Sequence, residues 1–176
     1  RDADGRVRLR EPNAGAASPG VLPGAREALR TGRPSATGLV NGPNGPAVFL
    51  FVPIRDWTGQ ASGLVAGEID PRGSRLTGVL RSHDAGAAGS SVDVLDNSGV
   101  IIASTDKSRQ GTASDHRQLL ANLIRTGGST RGTCHSCHQG SEPRTTDLMA
   151  FASARSLGWG VRVREPESLA LAGTTR

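Results

Sequence analysis

The 176 residues can bury one sizeable hydrophobic core or two small ones. Aromatics make up 3% and Tyr is missing, so the cores are built from Val, Leu, Ile and Ala, and the stacking platform of a single-stranded nucleic-acid binder is excluded. The net charge of +5 comes almost wholly from arginines scattered along the chain, with Lys107 the only lysine, which builds no focused field for nucleic acid or a membrane surface.

The opening RDADGRVRLR reads as a turn at Asp4-Gly5 entering a strand over Arg6 to Arg10, which suggests a preceding segment. No signal peptide precedes Arg1 and no apolar run approaches the ~18 residues of a membrane span, so a mature protein or an excised soluble segment is expected. A Pro/Gly/Ala-rich surface loop from Glu11 to Gly24 leads to a short helix over Ala25 to Thr31, ended by Gly32. From Ala36 to Asp70 the pattern turns to strands: ATGLV, AVFLFVPI and ASGLVAGEID, separated by the turns NGPNGP and DWTGQ, predict an antiparallel meander. Pro71 opens a helix with Leu76, Val79 and Leu80 at helical spacing.

After a small-residue linker from His83 to Gly89 the order of elements begins again. SVDVL, the turn DNSG and VIIAST predict a hairpin. A helix capped by Ser114 or Asp115 runs to about Arg125 with Leu119, Leu120, Leu123 and Ile124 on one face. Strands near Asp147 to Ala154 and Trp159 to Arg164 follow, and Pro166 closes the sheet before a short C-terminal helix. The expected fold class is α+β, in two similar units split near residue 86: 1–86 and 87–176.

Cys134-His135-Ser136-Cys137-His138 is Cys-x-x-Cys-His. Two thiols three residues apart can each add to one of the two vinyl groups on a single porphyrin edge, and the next histidine then presents its imidazole to the iron. With this composition chance produces the pattern on the order of once in two thousand sequences, and it uses every cysteine of the chain. A zinc site would need ligands from elsewhere to close a tetrahedron. A thiol–disulfide pair would open a helix beside a sheet, whereas this segment lies in a Gly/Ser/Thr-rich stretch that reads as a loop. One covalent haem c is therefore expected, on Cys134 and Cys137, with His138 as proximal iron ligand.

For the sixth iron position the candidates are His116, near the start of the preceding helix, and Met149, the only methionine, at the start of the next strand. An exposed His in a first helical turn is disfavoured by the dipole and has no packing purpose, while a strand Met has one, so His116 is preferred; water or an open site is the third choice. His83, at a helix end, is explained by favourable dipole placement without a ligand role, and His135, inside the motif, is read as solvent-facing. Trp57 and Trp159 read as packing at sheet ends. Asp93, Asp96 and Asp106 lack the oxygen-ligand spacing of a calcium loop and read as turn and strand-edge residues. No order of nucleophile, base and acid stands out, and no enzyme is expected.

FLFVPIRDWTGQASGLVAGEID (49–70), SVDVLDNSGVIIASTD (91–106) and LMAFASARSLGWGVRVREPESLALA (148–172), in that order and with Cys-x-x-Cys-His just before the penultimate strand, resemble the double Cache extracytoplasmic sensor domains of bacterial transmembrane receptors in their haem-c-containing variant. The family begins with a membrane span and a long helix and carries a signalling domain after the sensor, none of which this sequence contains, and Ser153 stands where the family often has Pro. The resemblance implies a PAS-like fold in each unit, the haem in a loop insertion of the second, and a sensory function outside the cytoplasm. Two functions follow: a sensor that answers redox state or a small ligand and signals to a membrane-associated module, or a monohaem electron carrier working with a redox partner protein. The sensor is favoured on the resemblance. A small-molecule ligand and self-association stay open, and no nucleic-acid partner is expected.

Overall fold

The computed structural model describes residues 22–42, 45–82, 89–135 and 146–172. The expected strand over Arg6 to Arg10, His83, Cys137 and His138 lie outside the described residues. The chain forms two compact units, the first reaching Pro71 and taking in 156–158, the second comprising 72–155 and 159–176. The division thus falls at Pro71, ahead of the expected split near 86, because the helix after Pro71 packs on strands of the second unit.

In the first unit α1 (Leu22–Thr31) begins inside the stretch read as loop and precedes β1 (Ser35–Ala36), β2 (Val40–Gly42), β3 (Gly45–Arg55) and β4 (Ala61–Ile69). The long β3 carries β1 and β2 on one side and β4 on the other, all antiparallel. Alternation along β3 turns Phe51 inward against Ala25, Ala28 and Leu64, while Val52 and Ile54 are half exposed. Trp57 is 96% exposed at the β3–β4 turn and takes no part in packing, contrary to the sequence reading; Asp56 shapes that turn by accepting from the Thr58 and Gln60 amides.

The second unit runs α2 (Ser74–Ser82), β5 (Ser91–Leu95), β6 (Ile101–Ser104), a 3-10 turn (Lys107–Arg109), α3 (Arg117–Thr126), β7 (Ser129–His135), β8 (Thr146–Ala154), β9 (Trp159–Pro166) and α4 (Glu167–Ala172). Its sheet is antiparallel in the order β6-β5-β9-β8-β7, so β7 is an edge strand. α2 buries Leu80 but leaves Val79 exposed. α3 buries Leu120 and Ile124 against Leu95, Ile101 and Phe151, with Leu123 packed beside them. Leu119, expected on the same buried face, is 51% exposed.

Two sequence readings are corrected in this unit. The N-cap position of α3 is His116, without a side-chain cap bond, while the Ser114 and Asp115 side chains turn to arginines instead. Residues 129–135, read as a loop, form β7, because pairing to β8 along its whole length satisfies a backbone whose own residues have weak strand preference. The Asp96 and Asp106 carboxylates serve turns, as expected, each accepting from the amide two residues on.

Candidate functional site

Cys134 sits near the end of β7 with 6% exposure, and its cross-strand partner on β8 is Asp147. Side chains alternate across a strand, so Gly132 and Cys134 share a face with Asp147, Met149 and Phe151, the face on which α3 packs. Met149 is directly opposite Gly132 and therefore diagonal to Cys134. On the helix side His116, half buried, places its Nε2 2.9 Å from the Cys134 Sγ. Both candidates for the sixth ligand are thus brought to the face of Cys134, His116 in direct contact.

Behind this contact lies a network of charges that the sequence reading missed. Arg162 and Asp93 are both fully buried; the guanidinium donates through Nε and Nη2 to Asp93 Oδ2 at 3.0 and 2.5 Å, and through Nη1 to Ser114 Oγ at 2.9 Å. Ser104 donates to Asp93 Oδ1 at 2.6 Å, and Arg109 Nε lies 3.5 Å from Oδ2. Asp93, read as a strand-edge residue, is instead the buried acceptor that makes an interior arginine tolerable. Arg164 faces the same side two residues on; its Nη1 meets Asp115 Oδ2 at 2.9 Å and its Nη2 meets Asp147. Burial opposes the charge on Asp115, but Arg109, Arg162 and Arg164 outweigh it and hold its carboxyl below the ordinary carboxylate range. Arg164 is likewise penalised by burial, yet Asp147, Asp115 and Cys134 raise its affinity for the proton. A signal for these residues was present: VRVRE places two arginines at i and i+2 of an apolar strand, hence on one face.

The described part of this site carries donors of the kind haem c takes. A Cβ placed on Gly132 would meet nothing within 4 Å, so the face of Cys134 is unfilled at that one position. Thiol, imidazole and thioether are donors suited to haem attachment and iron. The opposite face of β7, β8 and β9 carries only a shallow, open depression lined by Arg131, Thr133, Leu148, Ala150, Val163 and Glu165.

Solved structures share this architecture. The extracellular domain of the histidine-kinase candidate mmHK1S-Z3 superposes with a TM-score of 0.62 at 16% identity, over 85% of this chain and 55% of that one. The ligand-binding domain of the Pseudomonas aeruginosa amino acid chemoreceptor PctB, in complex with L-Arg, gives 0.59 at 19% identity over 93% and 63%. That of the Pseudomonas fluorescens chemoreceptor CtaA, in complex with L-leucine, gives 0.59 at 15% over 97% and 70%. The chain shares its fold with these domains. The expectation of an α+β, PAS-like architecture thus holds at the level of the fold. The chain spans between about half and two thirds of the length of the first three solved sensor domains it matches. No protein-family model matches the sequence, and no curated protein does either. Among the described residues no helix is long and apolar enough to cross a membrane.

Proposed function

We propose that this sensor fold works outside the cytoplasm as a haem-c-binding input domain, responding to redox state or to a small ligand and signalling to a membrane-linked output. What supports the reading is the motif Cys-x-x-Cys-His together with the surroundings of its first cysteine: Cys134 lies near the end of the edge strand of the second sheet with the His116 imidazole against it and Met149 on the same face. Cys134 and Cys137 would hold the porphyrin by thioethers and His138 would bind the iron; the bound group supplies a one-electron couple and a site for small ligands. The chain's own part is to exclude water with α3, to present His116, and to compensate charge through Arg164 and its two carboxylates. The alternative, a monohaem electron carrier, rests on the motif alone, whereas the sensor reading also has the architecture behind it.

The test is acid–acetone extraction of protein exported through a haem-c-maturing periplasm. Haem should stay with the polypeptide, and the Cys134→Ser/Cys137→Ser double variant should be colourless. Freely extracted haem overturns the reading. The sixth ligand is read from the same sample: His116→Ala should convert the oxidised spectrum to an open or water-bound form while Met149→Ala leaves it unchanged. A far-red sulfur-to-iron band that Met149→Ala removes would assign the methionine instead.

A further inference from the structure

We draw no further inference here: the strongest candidate, the apolar outer face of β3 and β4 on which Val52, Ile54 and Val65 stand about half exposed, carries nothing because nothing in the structure shows what covers it.

Discussion

Asp93 and Arg162 are both sealed from solvent, and an ion pair in that position is unequal in what it gives and what it costs to break. Replacing both partners by apolar residues can leave stability nearly unchanged, but removing one strands the other charge in the interior. Asp93→Ala should therefore lower unfolding free energy by about 3–5 kcal/mol, a large share of a domain's total, and a shift of the urea midpoint measures it. An unchanged midpoint would show that water or another carboxylate reaches Arg162. Asp115 gives a pH dependence of known sign. Its carboxyl is held below the usual range by Arg109, Arg162 and Arg164 against the opposing effect of burial, so the folded state binds the proton less tightly than the unfolded chain. Its contribution is fully present above the unfolded value near ~3.9 and is lost as pH falls through the lower folded value. Acid titration followed by circular dichroism should show an unfolding step below about pH 4 that Asp115→Asn makes shallower.

At the scale of elements, Gly160 shows how closely β8, β9 and α3 fit. A Cβ there would lie 2.3 Å from Phe151 Cζ and 3.0 Å from Ile124 Cγ1, and both side chains belong to the buried cluster under α3. Gly160→Ala must displace a ring with nowhere to go and should cost about 1–3 kcal/mol in denaturant melts. The control Gly158→Ala meets no neighbour, and its cost is confined to the left-handed backbone of the β8–β9 turn. These elements were also the legible ones. Alternation in SVDVL and AFASA and the leucine stripe of α3 state their periods plainly, and the structure forms β5, β8 and α3 there. β7 was illegible because Ser, Thr and Gly carry no apolar alternation; its state is imposed by β8 across the ladder. Asp93 and Arg162 were misread or missed for a related reason: a charge in a strand reads as surface unless its partner, here 69 positions away, is known. Of the site, the attachment motif and the two distal candidates came from residue chemistry, which is local. The contact of His116 with Cys134 and the grip of Arg164 on Asp115 and Asp147 came from tertiary packing, which no single stretch of sequence encodes.

At the scale of the molecule, the second unit begins at Arg72, and α2 packs on β5 and β6 with Leu80 buried. A fragment of 72–176 should fold cooperatively and retain haem after periplasmic maturation, while one of 87–176, lacking α2, should melt at lower urea by the burial of Leu80, about 2 kcal/mol. Haem on a 1–71 fragment would sink the assignment of the cofactor to the second unit. One row of this unit has a wider meaning. Cys134, Asp147 and Pro166 are consecutive partners across β7, β8 and β9, and α4 starts at the next residue, Glu167. Two strand spacings make this about 10 Å. On the haem reading, a unit charge gained at the cysteine end acts on Glu167 with roughly 1–2 kcal/mol at an effective dielectric constant near 20, about ten-fold in a two-state equilibrium. On that reading one electron would be leverage enough to shift the C-terminal helix. A detector so built would answer to a voltage: its set-point would be a midpoint potential, and its dial would be graduated at about 59 mV per decade, the steepness of a one-electron couple.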